Sequence, residues 1–288
     1  MRPQYFITEL CDALGINRSG YYAARRRPSA VRAEQNEALL RAIKVIHSHR
    51  HTRCYGSPRM TAELRSRGHC CSLNRVATIM RRQRLRACPR HPFRPKTTSA
   101  DHAASPSPNL LAQVARAQGP GQQIVSDITY IATQEGWLYL SIVMDLFSRC
   151  VLGWNLSASL KSSGVAAALE QALQTQLIVP GAIFHSDRGS QYSSSEVRTI
   201  LARAHLRQSM SAKGHCYDNA FAESAFASIK SELLPHSGSF ETQLQARRVL
   251  FDYFETFYNR SRRHSALGFL SPYSFINLYF QNPHKNLN

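Results

Sequence analysis

The spacing of apolar residues differs between the first and second parts of the chain. Up to about residue 85, apolar residues recur every three or four positions, which predicts amphipathic helices. After about residue 120, runs of β-branched and aromatic residues appear, and such runs are typical of strands. Residues 88–121 hold six prolines and many small polar residues, which predicts a linker whose first part is extended and basic. A helical part joined to an α/β part is therefore expected.

The helical part contains two short helices followed by longer ones. Residues 5–24 predict a short helix, a turn at Gly15 and a second short helix, and a further helix is expected over about 33–49. In the segment 56–85, Ser57 has the features of an N-cap with proline at the first helical position, and Ser72 is expected to cap the next helix. The apolar stripe of that next helix consists of Leu73, Val76 and Met80.

The segment 56–85 has the form of a helix-turn-helix. Two short helices are separated by a turn that contains Gly68, and the polar face of the second helix is basic, as in helices that enter the major groove of DNA. That face carries Arg75, Arg81, Arg82 and Arg84. An ordinary helical hairpin would show the same capping pattern, so the pattern alone leaves both interpretations open.

The second part of the chain predicts an α/β layer with a mixed sheet. Three strands come first, the second and third joined by a tight turn, and strands then alternate with helices. The predicted strands are 122–133, 136–148, 149–157, 182–187 and 207–211, and the predicted helices are 163–177, 194–206, 218–234 and about 240–257.

Charge separates the two parts further. The formal net charge is +18, and residues 1–100 hold 21 Lys and Arg against 5 Asp and Glu. Residues 101–288 are close to neutral, with 15 against 13. A basic part beside a near-neutral part indicates a module that binds a polyanion, and the excess of arginine suits phosphate groups of nucleic acid. A purely solubilising surface is the alternative.

The seven cysteines and the amino-terminal sequence indicate a cytoplasmic protein. The stretch MRPQYFITEL lacks the apolar core of a signal peptide, and no apolar run approaches the length of a membrane span. Reduced thiols are therefore expected. The cluster His47, His49, His51 and Cys54 matches no common zinc spacing, so its histidines are expected to add to a basic, phosphate-facing surface.

Three carboxylates stand out by position. Asp187 follows an apolar strand directly and is surrounded by small residues, and Asp127 lies inside an apolar strand, where a lone acid is costly unless it is paired or bound to a cation. Glu223 lies 36 positions after Asp187, on a helix whose apolar stripe packs it on the sheet. Three such carboxylates can hold Mg²⁺, although a cap or a surface charge explains each acid taken singly. Lys230, two helical turns after Glu223, is a candidate phosphate contact.

Five stretches carry a resemblance to a known family. They are SDITYI, GWLYLSIVMDLFSR, HSDRGSQY, SMSAKGHCYDNAFAESAFASIKSELL and YNRSRRHSALGFLSP. With the spacing of their acids, they resemble the D-D-35-E core of bacterial insertion-sequence transposases in the retroviral-integrase superfamily. Over roughly residues 35–276, the chain resembles the second-frame product of elements that make their transposase from two overlapping reading frames. Ile124 and His215 depart from the residues usual in that family, which are Trp and Asn.

The resemblance implies an RNase H-like fold, a mixed five-stranded sheet flanked by helices and preceded by an all-α helix-turn-helix region. It implies that Asp127, Asp187 and Glu223 are the catalytic residues and the ligands of two Mg²⁺ or Mn²⁺ ions. Candidate DNA contacts are Lys230, Lys213, Gln191, Arg75, Arg81, Arg82, Arg260, Arg262, Arg263 and His264. Tyr192 is an alternative contact for which packing is equally plausible.

The predicted organisation and function follow from these expectations. Residues 1–87 are expected to bind DNA, 88–118 to form a linker, 119–235 the catalytic core, and 236–288 a C-terminal helix and basic tail. The expected activity is metal-dependent cleavage and strand transfer of insertion-sequence ends into target DNA, by a homo-oligomer, with an upstream-frame product as a further partner and no membrane. A joining-deficient nuclease of the same fold and a non-catalytic DNA-binding regulator or remnant are the alternatives.

Overall fold

The computed structural model describes residues 6–26, 29–88, 107–211, 220–234 and 237–282, with the side chains of residues 24, 26, 29–31 and 220–223 outside that description. Five helices form the first part: α1 Ile7–Ala13, α2 Arg18–Arg26, α3 Ser29–Ser48, α4 Ser57–Ser66 and α5 Leu73–Arg82. All the helices predicted there are present, so the helical character of this part is confirmed.

The caps of α4 and α5 differ in how well they were predicted. Ser72 caps α5 as expected, because its side chain accepts a hydrogen bond from the N–H of Arg75. Gly56, rather than Ser57, is the N-cap of α4, so that helix begins one residue earlier than predicted. Val76 and Met80 are buried, but Leu73, in the first turn of α5, is 44% exposed.

Two expectations about the segment after α3 were wrong. Cys54 and Cys88 form a disulfide, with Cα atoms 4.6 Å apart, where reduced thiols were expected, although the other described cysteines, Cys11, Cys70, Cys71 and Cys150, are free as expected. Folding brings Cys54, in the loop between α3 and α4, beside Cys88 at the end of the helical part, a proximity that their separation of 34 residues does not reveal. His51 is buried and lies 2.7 Å from Asp252, so its ring belongs to the interior and not to a phosphate-facing surface.

The second part contains a five-stranded mixed sheet, which confirms the predicted fold class. Its strands are β1 Gln123–Thr133, β2 Gly136–Asp145, β3 Val151–Ser157, β4 Ile183–Ser186 and β5 Arg207–Met210, in the spatial order β3-β2-β1-β4-β5. The first three strands are antiparallel, whereas β4 and β5 run parallel to β1. The remaining helices are α6 Ser162–Gln174, α7 Ser190–Ser193, α8 Ser195–Arg203, α9 Ala220–Leu233, α10 Gln243–Asp252 and α11 Pro272–Gln281.

Each face of the sheet packs on a different set of helices. On one face, Ile124, Val143 and Leu152 join the buried side chains of α6 and α8. On the other, Val125 and Ile131 join α9, α10, the π-helical turn Tyr253–Tyr258 and the buried side chains of α3 to α5. The helical part and the sheet therefore share one apolar cluster. None of the helices in the described part of the chain has the length and apolarity that crossing a bilayer requires.

Candidate active site and DNA-contacting residues

Asp127 and Asp187 lie on adjacent parallel strands at the same level. Gln123 pairs with Ile183 and Val125 with His185, which is a constant offset along β1 and β4. The same register, continued two residues further, sets Asp127 level with Asp187, which directly follows β4. Neighbouring strands are about 4.8 Å apart, so two carboxylates at one level of adjacent strands lie close together.

The Asp187 carboxyl is partly buried, and this burial raises its pKa. Its Oδ1 accepts a hydrogen bond of 3.0 Å from the N–H of Gly189, which opposes the shift only in part. A Cβ atom at Gly189 would lie 3.0 Å from Asp187 Oδ1 and 2.8 Å from Gln191 Oε1. A side chain there would crowd the carboxylate, so glycine keeps this edge of the sheet accessible.

Tyr192 lies beneath both acids. Its side chain is 1% exposed, and its hydroxyl is 3.2 Å from Ser126 Oγ. Burial, followed by the negative charges of Asp127 and Asp187, raises the pKa of Tyr192 well above its usual value. Both carboxylates therefore raise the pKa of one buried hydroxyl. The burial of Tyr192 favours packing over a contact with DNA as its role.

Helix α9 lies against β1 on the face that carries Asp127. Alternation along the strand puts Asp127 on the same face as Val125 and Ile131, and α9 contributes its buried Phe226, Ile229 and Leu233 to that face. Glu223 belongs to the first half of this helix, but its side chain lies outside the described residues. The helix axis rises about 10 Å between positions 223 and 230.

Lys230 on α9 is partly buried, and burial lowers its pKa while the charge of Asp127 raises it. The ammonium therefore lies within electrostatic reach of the Asp127 carboxylate.

The carboxylate oxygens of Asp127 and Asp187 suit a hard cation. Asp127 and Asp187 supply carboxylate oxygens, the donors that Mg²⁺ prefers, and a bound cation would offset the cost of ionising the partly buried Asp187. Among the described residues, no three His, Cys, Asp or Glu side chains converge as a metal-binding group. The expected third ligand, Glu223, has its side chain outside that description.

Of the two further contacts predicted near the acids, Gln191 and Lys213, only Gln191 belongs to the described residues. Gln191 is partly buried, and its amide donates a 3.3 Å hydrogen bond to the carbonyl of Leu160, at the rim next to Gly189. Lys213 lies outside the described residues, as does the predicted N-cap of α9 at Asp218 or Asn219.

Two of the four predicted contacts in the C-terminal segment are buried inside the protein. Arg262 is 2% exposed and pairs with Glu232 of α9, with Nη2 2.6 Å from Oε1. His264 is 9% exposed, and burial followed by the charge of Arg262 lowers its pKa to about 2, so the ring is neutral. The expectation that these two side chains face DNA was wrong, because folding pairs the arginine with an acid 30 residues away.

The other two predicted contacts of this segment, Arg263 and Arg260, differ in exposure and in their partners. Arg263 is partly exposed, and its guanidinium donates 2.9 Å and 2.6 Å hydrogen bonds to Glu63 and Ser66 of α4. Arg260 is exposed, with Nε 3.0 Å from the carbonyl oxygen of Glu255. Arg260 therefore remains accessible, whereas Arg263 fastens the C-terminal segment to α4.

In the helix-turn-helix segment, Arg81 and Arg82 are exposed in the last turn of α5. Arg75 is partly buried, and its Nε donates a 2.8 Å hydrogen bond to Asn36 of α3. The accessible positive charge of α5 is thus at its C-terminal end.

Glu232, Arg59 and Tyr253 had no place among the predicted functional residues, and Arg262 was predicted only as a DNA contact. A usable signal was present, because Glu232 lies three positions after Ile229 on the apolar stripe of α9, where a carboxylate needs a buried partner.

Comparisons with known proteins find matches to both the helical part and the part that contains the sheet. Two families described as integrase core domains match residues 117–216 and 204–272, and a family described as an HTH-like domain matches residues 34–93. Transposase InsF for insertion sequence IS3A of Escherichia coli (strain K12) is 41% identical over 277 residues, which are 96% of this chain and 96% of that protein. The insertion element IS600 uncharacterized 31 kDa protein of Shigella sonnei is 39% identical and covers 94% of this chain.

Among solved structures, the HTLV-2 integrase catalytic core domain in complex with magnesium is 15% identical, with a TM-score of 0.42. That match covers 56% of this chain and 99% of the viral domain.

Proposed function

Since the chain belongs to the family of insertion-sequence transposases that includes InsF of IS3, we propose that it cuts DNA at the ends of an insertion sequence and joins them to target DNA. The observation that carries this proposal is the level placement of Asp127 and Asp187 on β1 and β4, with α9 lying against the same strand. Carboxylates at one level of adjacent strands can hold the metal ions that promote displacement at a phosphodiester.

We propose that Asp127, Asp187 and Glu223 bind two Mg²⁺ or Mn²⁺ ions. Asp127 and Asp187 contribute oxygens from rigid strands, and Glu223 contributes from the helix that packs over Asp127. When bound, the ions activate the attacking oxygen and stabilise the leaving oxygen of the phosphodiester.

The protein's own side chains orient the DNA in both steps. In the first step, water attacks the phosphorus at the element end, and the bond to the 3′ oxygen breaks, leaving a 3′-OH and a 5′-phosphate. In the second, that 3′-OH attacks a target phosphodiester, so one P–O bond forms as another breaks. Lys230 lies within electrostatic reach of Asp127, and in this proposal its ammonium holds a phosphate in line with the acids.

Other DNA contacts are proposed according to how accessible their side chains are to solvent. Arg81 and Arg82 on α5 and Arg260 in the C-terminal segment expose positive charge, and Gln191 borders the acids. Lys213, Arg75 and Arg263 are secondary candidates. The excess positive charge of residues 1–100 supports duplex binding by the helical part.

We retain the proposed boundaries of 1–87 for DNA binding, 88–118 for the linker, 119–235 for catalysis and 236–288 for the C-terminal helix and tail. Assembly as a homo-oligomer on DNA, together with an upstream-frame product of the same element, is part of the same proposal.

The test replaces each acid by its near-isosteric amide. Asp127→Asn, Asp187→Asn and Glu223→Gln are each expected to lower Mg²⁺-dependent nicking and joining of a labelled element end by about 100-fold or more, because each removes an anionic ligand. Duplex binding, measured by fluorescence anisotropy, is expected to be preserved. Glu170→Gln is the matched control, since this exposed carboxyl pairs with Arg203 at the surface.

The outcomes separate the alternatives. Substantial joining by one acid variant would remove that residue from the site. Nicking without joining by the unmutated protein, with the upstream-frame product present, would favour a nuclease. Tight binding of element ends with neither activity would favour a regulator.

A further inference from the structure

Glu232 of α9 is the centre of a buried charge network separate from Asp127 and Asp187. Its side chain is about 4% exposed, and Arg262 binds it in bidentate fashion, with Nη2 2.6 Å from Oε1 and Nε 2.8 Å from Oε2. Arg59 Nη1 lies 2.9 Å from Oε1, and the Tyr253 hydroxyl donates a 2.6 Å hydrogen bond to Oε2. Four donor groups therefore converge on one carboxylate.

The three partners come from different segments of the chain. Arg59 belongs to α4 of the helix-turn-helix segment, Tyr253 to the π-helical turn that follows α10, and Arg262 to the segment after that turn. Burial opposes ionisation of Glu232, but the charge and hydrogen bonds of Arg262, together with the charge of Arg59, lower the pKa of its carboxyl. The network is therefore ionic, and it joins all three segments to α9.

Further contacts near Glu232 connect the same segments of the chain. The Tyr55 hydroxyl accepts a 3.0 Å hydrogen bond from the N–H of Arg263, whose guanidinium also binds Glu63 of α4. Cys54 Sγ lies 3.8 Å from the carbonyl oxygen of Ser231 on α9. Cys54 thus contacts the last turns of α9, and Tyr55 and Glu63 hold the C-terminal segment beside α4.

Apolar packing alone does not determine where α9 lies along the sheet. The buried stripe of Phe226, Ile229 and Leu233 contributes non-directional contacts, which tolerate small sliding or rotation of a helix. A bidentate ion pair has a defined geometry and tolerates far less displacement. Since an α-helix moves as a rigid rod over a few turns, a shift at Glu232 also moves the earlier part of α9.

We propose that Glu232, Arg262 and Arg59 are positioning residues, which hold α9 in the register that aligns Glu223 and Lys230 with Asp127 and connect that register to the helix-turn-helix segment. The inference rests on the proposed function of Glu223. Misplacement of a catalytic group by about 1 Å costs on the order of 100-fold in rate, so a contact remote from the acids can control turnover.

The test uses Arg59→Gln in the full chain. This substitution removes the link from α4 while Arg262 and Tyr253 still bind the Glu232 carboxylate, so Glu232 keeps a cationic partner. Arg59→Lys retains the positive charge and serves as the conservative variant. Arg203→Gln is the matched control, because Arg203 also joins two helices through a glutamate, with 63% of its side chain exposed.

We expect Arg59→Gln to lower kcat for joining of a precut end about tenfold or more, with KM for DNA nearly unchanged, because alignment rather than binding is lost. The Mg²⁺ concentration for half-maximal activity is expected to rise. Amides of α9 should exchange hydrogen faster, whereas those of β1 should not. Arg59→Lys should recover most of kcat, and Arg203→Gln should resemble the unmutated protein.

Three results would overturn the inference: unchanged hydrogen exchange in α9, unchanged kcat and Mg²⁺ dependence despite faster exchange, or a rise in KM with kcat preserved. If the unmutated protein neither nicks nor joins DNA, the proposed function fails. In that case the exchange measurement still decides whether Arg59 holds α9 in place.

Discussion

Glu232 and Asp187 are carboxylates withdrawn from solvent, but their surroundings act on them in opposite ways. Glu232 is bound by two arginines and a tyrosine, and the pKa of its carboxyl is lowered in spite of burial. At Asp187, burial raises the pKa, and the hydrogen bond found within the described residues comes from the N–H of Gly189. Within the part of the chain that the structure describes, the region around Glu232 therefore supplies the positive charge its acid needs, whereas no cation is found to lower the pKa of Asp187.

The difference shows how structural and functional acids can be separated in this protein. A carboxylate whose charge is balanced by the folded chain contributes to cohesion between segments. A carboxylate that remains costly to ionise can be stabilised by a ligand, and Asp187 lies level with Asp127 at the end of β4, where a cation could bind both. Three predictions test this comparison, in order of decreasing effect.

The largest effect is expected from Arg262→Ala. It leaves Glu232 buried with one arginine fewer, and breaking a buried pair in this way typically costs about 3–5 kcal/mol of unfolding free energy. The measurement is chemical denaturation followed by circular dichroism. Arg260→Ala is the control, because this exposed arginine should contribute no more than about 0.5 kcal/mol. Similar losses for both variants would contradict the structural role assigned to Glu232.

An intermediate effect of opposite sign is expected from Asp187→Asn. An amide has no charge to desolvate, so the metal-free variant should be more stable by on the order of 1 kcal/mol, or about 2–4 °C in Tm. Mn²⁺ should raise the Tm of the unmutated protein but not of this variant. Glu232→Gln should instead lower Tm, and its Tm should still rise with Mn²⁺, although at a higher Mn²⁺ concentration than in the unmutated protein. A Mn²⁺ response retained by Asp187→Asn would exclude this carboxylate as a ligand.

The smallest effect concerns the pH dependence of stability without metal. Because the folded-state pKa of Glu232 is lowered, its contribution is present above its unfolded value of 4.5 and is lost as pH falls through the folded value. Because the folded-state pKa of Asp187 is raised, stability should instead fall as pH rises from its unfolded value of 3.8 through the folded value. Denaturation midpoints across this acidic range provide the measurement.

Each variant should remove one of these dependences. Glu232→Gln should flatten the profile below pH 4.5, and Asp187→Asn should flatten it above pH 3.8. Identical profiles for the two variants would mean that the two environments do not differ as described.

Much of the fold was predictable because its signals are local. The β-branched runs predict all five strands, and the alternation of strands and helices predicts their mixed sheet, which the structure confirms. Asp127 and Asp187 could be singled out because a lone acid in or directly after an apolar strand is unusual. Their level placement also follows once β1 and β4 are known to be parallel neighbours.

The orientation of the C-terminal arginines was not predictable in the same way. The run YNRSRRH places Arg260, Arg262 and Arg263 within four positions, and such a cluster indicates an exposed basic segment. The structure exposes Arg260, buries Arg262 against Glu232 and turns Arg263 toward α4. The residues differ in partner and not in type, so local sequence holds no information that distinguishes them.

The sequence by itself determined the helices and strands, the excess of positive charge in the first 100 residues and the identity of the candidate acids, because periodicity and composition are properties of short segments. Only the tertiary structure decided which charges are neutralised inside the protein. Glu232 meets Arg59 across 173 residues, His51 meets Asp252 across 201 residues, and Cys54 meets Cys88 across 34 residues. These pairings depend on how the helical part packs on the sheet, since that packing alone sets which distant side chains share a desolvated space.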